Sequence, residues 1–498
     1  MTDLFICGEE NSLSASKVCE SIKEFHKKDI LPFYILPWHS FINRMGEDNS
    51  DQSISLWSMY SKEIIEKRLL FYSKNISLNN LNEEFIEKLT IYLNLDQSQI
   101  SDISFRNYHK GITKLDMLNF LDFMALYIND VIDKYNPRNI YDLNNTGYLR
   151  KLILLITEKR SIKYRTIIHS LFSEYILKTD TLGEKIDKEY KSIDESSEFL
   201  LLARNKINDF IKQKSFSIEA EKQYIKKLEE PVFKEILKKF YGYTRFSLKT
   251  FLQRKKSNLK FPKRSSGFMK IINPSLSKGY LYNLNSILKY LKAKIGNENN
   301  LLLKDYFYFP LGYTIENISA SSSGNILSDF EIINKLRVFM HPLSKILIKE
   351  HRAMINERAY SQKRFLKKLK YNSIFYLGEK VLSNKKLDSR DLILNSKGVI
   401  VYSGTTGLEA LLLNKPVIIF GNPIYAKFIP KIIDPNKRNN LFKFFIKPEA
   451  YITPKNSIEN YVAIVLKNGI KLNLAEMRNG FLSKTKIKEL AEFLLNEK

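Results

Sequence analysis

The sequence predicts an α/β fold of two doubly wound domains, and three observations carry that prediction. Short apolar runs rich in β-branched residues recur at 4–8, 31–36, 345–349, 399–401 and 417–420. Segments with apolar spacing near 3.6 stand between them, among them 12–25 and 149–159. Small and hydroxyl residues sit where a run gives way to a helix, most fully at Ser403-Gly404-Thr405-Thr406-Gly407.

Taken in order, residues 4–8 read as a buried strand, 12–25 as the helix after it and 31–36 as the next strand. Helical periodicity covers 56–74, 83–95 and 115–135, an insertion between strands. Asn136-Pro137 then turns the chain into a strand near 139–142, followed by a helix over 149–159 and a strand over 161–169. The strand ends near Asp142 and His169 are expected to face a cleft, because ligands of such sheets bind beyond the carboxyl ends of the strands. Residues 196–240 read as helical, interrupted by Pro231.

The second half alternates cleanly. Strands are expected at 306–311, 345–349 and 373–377, with helices at 326–339, 360–370 and 389–395. A strand at 399–401, a turn over 403–407, a short helix over 408–413 and a strand at 417–420 follow. The last helix, 485–495, is expected to cross back over the first domain. The implied division is residues 1–195, a helical and basic connector at 196–300, and a second domain at 301–498.

Composition narrows the function classes. The chain has 498 residues, enough for two sizeable cores, and 44% of them are hydrophobic, which excludes a disordered polypeptide. Its two cysteines, Cys7 and Cys19, form no metal-binding spacing and no disulfide framework. Neither a signal peptide at the start nor an apolar run long enough to span a bilayer is read. The formal net charge is +26, and the stretch from Tyr241 to Asn297 contains no acidic residue. Such a stretch suits an anionic membrane surface. Nucleic acid is not expected as a partner, since no RNA-binding or helix-turn-helix pattern accompanies it.

The chemistry is concentrated in the turn at 403–407. Gly404 and Gly407 permit close backbone approach, Ser403, Thr405 and Thr406 offer hydroxyls, and a helix N-terminus favours phosphate. Glu409, one helical step in, is an acceptor-only carboxylate suited to a ribose diol. Ser321, Ser322 and Ser323 form a second phosphate-donor loop, and His351 and Arg358 supply cations near the end of the 345–349 strand. No Asp-x-Asp triplet is present, so no metal ligand set and no tightly bound cofactor is expected. An ordinary strand-to-helix turn would also explain the glycines.

Four motifs together resemble the capsule polysaccharide biosynthesis family, GT-B-type relatives of the bacterial capsule Kdo transferases. They are Tyr306-Phe307-Tyr308-Phe309-Pro310-Leu311-Gly312-Tyr313-Thr314-Ile315-Glu316, the run from Lys349-Glu350-His351 to Arg358, the turn with Leu408-Glu409-Ala410, and Phe420-Gly421-Asn422 to Tyr425. Gly312 stands where the family has His, Thr314-Ile315 where it has Gln-Pro, and Arg352 where it has Pro. The resemblance implies a GT-B-like pair of Rossmann-like domains facing a central cleft, with helical insertions. It implies transfer of a sugar from a nucleotide-activated donor, CMP-Kdo or a relative, to a lipid-linked glycan. Glu316 is the implied catalytic carboxylate and His351 the implied contact to the donor. The cysteine usage suits a reducing cytoplasm, and the basic stretch 241–297 is expected to hold the enzyme at the inner face of the inner membrane, where a lipid-linked acceptor is found. Two alternatives remain open: a teichoic-acid-type phosphotransferase using a CDP-alcohol, and a non-catalytic member of the fold acting in polysaccharide assembly or export.

Overall fold

The structure is a computed structural model. It describes residues 2–7, 12–35, 114–144, 148–172, 174–179, 197–212, 305–312, 329–351, 373–377, 389–402, 404–421, 423–428, 438–473 and 480–496, with isolated positions between them. The insertion at 56–95 and the 360–370 helix fall almost entirely outside the described residues, as does the basic stretch apart from Tyr241.

The strands of the first half are β1 (Asp3–Cys7), β2 (Ile30–Tyr34), β3 (Asn139–Tyr141), β4 (Lys163–His169) and β5 (Tyr175–Thr179). Those of the second half are β6 (Tyr306–Pro310), β7 (Lys345–Lys349), β8 (Ile374–Leu377), β9 (Ser396–Val401), β10 (Val417–Ile419) and β11 (Ile470–Lys471). The helices are α1 (Ser12–His26), α2 (Lys114–Tyr135), α3 (Tyr148–Lys159), α4 (Glu198–Lys212), α5 (Asp329–Phe339) and α6 (Ser389–Leu394). They continue with α7 (Thr405–Leu412), α8 (Arg438–Ile446), α9 (Lys455–Asn468) and α10 (Lys484–Leu495).

Two sheets result. The first has the order β11-β5-β4-β3-β1-β2 and the second β10-β9-β6-β7-β8. All neighbours in the second sheet are parallel. In the first, β2, β1, β3 and β4 are parallel, whereas β5 and β11 add an antiparallel edge that the sequence reading does not contain.

Side-chain alternation explains why both faces of the second sheet are buried. Tyr306, Tyr308, Val399, Val401, Val417 and Ile419 share one core with α7, α4 and α9. Their neighbours Phe307, Phe309, Ile400 and Ile418 share the opposite core with α5 and α8. In the first sheet Phe5, Cys7, Tyr141 and Ile167 pack on α1 and α10, so the last helix does return to the first sheet. Both cysteines lie buried in that core and form no disulfide. The face carrying Phe33 meets α2, where Tyr127 lies against the Phe33 ring and its hydroxyl donates to the Tyr34 carbonyl at 3.0 Å.

The sheets are tied together by α4 and α9. Arg204 of α4 donates to Glu459 of α9 at 2.9 Å, and Arg390 of α6 donates to the carbonyl of Ile211 at 2.6 Å. The Tyr461 hydroxyl of α9 donates to the carbonyl of Ser170, just beyond β4. Neither α8 nor α9 is in the sequence reading.

Candidate functional site

Read from one edge, the second sheet runs β8-β7-β6-β9-β10, an order of 3-2-1-4-5 by position along that half of the chain. The chain builds outward from β6 in one direction, then returns to build on the other side. The carboxyl ends of β6 and β9 therefore flank the point where the order reverses, the place where ligands of such sheets bind. Leu311 and Gly312 leave β6 at this point; Tyr402 and Gly404 leave β9 beside it.

The β9 exit differs from its sequence reading in one respect. Residues 403–407 read as a turn, but α7 already begins at Thr405, with Gly404 as N-cap and no side-chain cap. Thr405, Thr406 and Gly407 are weak helix formers, so propensity alone starts the helix too late. The consequence is chemical. The N–H groups of Thr405 and Thr406 belong to the first turn, which no side chain caps, and the half-buried threonines sit at the positive end of the helix dipole.

The two glycines have different reasons to be there. A Cβ on Gly404 would meet no described atom within 4 Å, so open space lies beside it. A Cβ on Gly407 would lie 2.1 Å from the Tyr425 hydroxyl and 2.9 Å from Val401 Cγ2. Gly407 thus has a packing reason to lack a side chain. Tyr425 is fully buried, and its hydroxyl donates to the Gly404 carbonyl at 3.0 Å. Burial and the nearby Glu409 carboxylate hold this phenol far above its ordinary range, so it stays a donor. Tyr425 is a site-shaping residue that sequence reasoning missed; a Tyr ending the fourth motif was its only signal.

One strand beyond β6, the end of β7 is polar and enclosed. Lys349 and Glu350 are buried. The Lys349 ammonium donates to Ser389 Oγ at 2.7 Å. Glu350 accepts from the Tyr376 hydroxyl and from the backbone N–H of His351, both at 2.8 Å. His351 is half-buried at the strand exit. It lies two strand spacings from the Gly404 exit, about 10 Å. Lys415 has a structural task, donating to the carbonyls of Leu394 and Ser396 at 2.7 and 2.9 Å.

The structure therefore gathers Gly404, Thr405, Thr406, Gly407 and Glu409 at one strand exit and His351 at another along the same edge. Glu316, Ser321, Ser322, Ser323, Arg358 and Ser403 lie outside the described residues. Among the described residues no His, Cys, Asp and Glu cluster suited to a metal ion occurs.

In the first sheet the expectation for Asp142 is overturned. It does not face a cleft but is 1% exposed. Its carboxylate accepts from Arg150 Nε at 2.7 Å, from the Tyr164 hydroxyl at 3.0 Å and from the Asn144 N–H at 3.0 Å. Burial pushes its pKa up to about 6 against the opposing pull of the Arg150 charge. His169, at the end of β4, is half-buried and pairs with Ile176 of β5.

With this geometry in place, comparison with known proteins is informative. Residues 312–428 match the family of capsule polysaccharide biosynthesis proteins, a span that holds the exits of β6, β7 and β9. The family resemblance read from the motifs therefore holds for this segment. Among solved structures the chain is similar to KpsC, a beta Kdo 2,7 transferase of Thermosulfurimonas dismutans. The identity is 14% and the TM-score 0.29, covering 74% of this chain and 89% of that one. It is also similar to a UDP-GlcNAc 2-epimerase of Methanocaldococcus jannaschii solved with UDP-GlcNAc and UDP (14% identity, TM-score 0.25, 94% and 99% covered). A third is UDP-N-acetylglucosamine 2-epimerase of Rickettsia bellii (12%, 0.22, 94% and 96%). No curated protein matches the chain by sequence.

Proposed function

We propose that this chain is a glycosyltransferase of capsule or surface polysaccharide synthesis, taking its sugar from a nucleotide-activated donor. The observation that carries the reading is the open Gly404 exit at the sheet's reversal point, inside the family-matched segment. The donor's phosphates would lie on the α7 N-terminus, with the Thr405 and Thr406 hydroxyls beside them. Glu409 would take the ribose hydroxyls, and His351 would meet the departing phosphate from the β7 side. Ser321, Ser322, Ser323, Arg358 and Ser403 would complete the donor contacts, and Glu316 would supply the carboxylate for transfer. Preorganised N–H donors and positive side chains stabilise the developing phosphate charge in this scheme, without a tightly held metal. Residues 301–498 would form the donor domain, except β11 and α10, which join the first sheet, with 1–195 the acceptor side and 196–300 the connector. By the family resemblance the donor is CMP-Kdo or a relative. The acceptor is a lipid-linked glycan at the inner face of the inner membrane, approached through the basic stretch 241–297. Among the described residues no helix is long and apolar enough to cross a membrane.

The test is a thermal-shift and calorimetric screen of CMP-, UDP-, GDP- and CDP-linked compounds against wild type and Glu409→Ala. A bound donor at one hundred times its Kd stabilises by about 2.7 kcal/mol. Removing Glu409 should weaken that donor by roughly 1.5–3 kcal/mol, the worth of a charged hydrogen bond. If no activated sugar binds, or if Glu409→Ala binds like wild type, the proposal fails.

A further inference from the structure

We propose that the outer end of the α5 and α8 layer is a docking surface for an anionic lipid bilayer. Four large apolar side chains stand out there: Leu343 is 84% exposed, Val338 71%, Ile446 57% and Phe442 43%. They belong together. The backbone N–H of Leu343 donates to His341 Nδ1 at 3.3 Å, and the His341 ring centroid lies 5.9 Å from that of Phe442. Ile446 follows Phe442 by one helical turn, and Val338 precedes the same corner at the end of α5. Beneath them Leu336, Leu441, Phe444 and Phe445 form one buried core, so the corner is rigidly backed.

The charge around the corner selects the occupant. Lys335, Arg337, Lys345, Lys443 and Lys447 lie within the same two segments, and neither 335–345 nor 438–447 contains an acidic residue. A second copy seated face to face would set cations against cations, on a chain of net charge +26. A bilayer with anionic headgroups satisfies both features, since apolar side chains enter the headgroup boundary while lysines meet phosphates.

Position adds a consequence. The corner leads into the amino end of β7, whereas the Gly404 and His351 exits lie at the carboxyl end of the sheet. Five strand residues separate the two edges, about 17 Å. The proposed site would be held off the membrane, where the far end of a membrane-anchored chain is reached. The surface itself stands whether or not that site transfers a sugar.

Full-length protein is sedimented with phosphatidylcholine vesicles, pure or one-third phosphatidylglycerol, at low salt and at about 0.5 M salt, where surface charges are screened. Wild type should bind the anionic vesicles strongly at low salt and retain measurable binding at high salt. Lys443→Gln with Lys447→Gln should lower low-salt partitioning by about thirty-fold. Leu343→Ser, Phe442→Ser and Ile446→Ser together should lower the high-salt remainder about ten-fold or more, while the melting curve shows a single folded transition lowered only through Phe442, the least exposed of the three. Binding through the basic stretch 241–297 alone would be erased by salt and indifferent to the triple variant; that result overturns the proposal. A wild-type dimer in sedimentation velocity that the triple variant loses, with vesicle binding intact, also overturns it and assigns the corner to a second copy.

Discussion

Two strand ends in this molecule follow the same topological rule and come out opposite in chemistry. The parallel part of the first sheet, β2-β1-β3-β4, reverses its order beside β3, and the second sheet reverses beside β9. Beyond β3 the chain places Asp142, buried and held by Arg150, Tyr164 and Asn144. Beyond β9 it places Gly404, with no described atom within 4 Å of where a Cβ would stand, and the start of α7 after it. Topology nominates both positions for a ligand. Side chains make the first a brace and leave the second as the proposed seat.

The largest effect should come from breaking the brace. Arg150→Met leaves a buried carboxylate without its charge partner, a loss of about 3–5 kcal/mol at neutral pH. The loss should shrink toward pH 5, where the carboxyl can escape by protonation. The sign follows from the shift. Asp142 has a folded-state pKa of about 6 against an ordinary 3.8, so its contribution to stability is full below about pH 4 and is lost as pH rises through 6. Two units correspond to about 3 kcal/mol. Urea midpoints across pH 4 to 8 should carry this component in wild type and lack it in Asp142→Asn. An identical pH profile in both would show that the buried carboxylate is ordinary.

Much of the second sheet was legible because its strands are short, apolar on both faces and bounded by small residues. The antiparallel edge was not. β11 is only two residues long, and its place beside β5 comes from α9 delivering it to Ile176. For α9 the signal was present and unused: Ile458, Tyr461, Val462 and Val465 repeat at helical spacing and are all buried. The site was legible in its residue types but not in their division of labour. Nothing in Gly404-Thr405-Thr406-Gly407 says which glycine faces space and which faces Tyr425. That distinction depends on a tyrosine some twenty residues further on. The Asp142 expectation failed for a related reason: strand-end placement is topological, while exposure depends on Arg150 reaching back from α3.

A middle-sized effect should mark the packed glycine. In a helix Gly→Ala ordinarily gains up to about 1 kcal/mol. At Gly407 the new methyl would overlap the Tyr425 hydroxyl at 2.1 Å, and neither Tyr425 nor Val401 can leave a buried core without cost. Overpacking of this kind costs about 1–3 kcal/mol, so the net change should be destabilising despite the helix propensity. Gly407→Ala should therefore lower the urea midpoint and, by displacing the hydroxyl that holds the Gly404 carbonyl, weaken donor binding as well. A more stable Gly407→Ala protein would mean that the helix start does not need Tyr425 where it lies.

The smallest effect on stability, and the sharpest on the comparison, belongs to Gly404→Ala. Its φ of 168° is extended backbone open to any residue, and the added Cβ meets no described atom within 4 Å. The fold should lose about 1 kcal/mol or less, the difference between Gly and Ala at an N-cap. In the proposed binding mode, however, the methyl would occupy the space from which the donor phosphate approaches the Thr405 and Thr406 N–H groups. Affinity for whichever activated sugar binds wild type should fall about ten-fold or more, roughly 1.4 kcal/mol, while the melting temperature without ligand barely moves. In Arg150→Met the order is reversed, with stability lost first and binding only through unfolding. If Gly404→Ala binds its donor undiminished, the open exit is not the seat, and the contrast between the two strand ends reduces to packing alone.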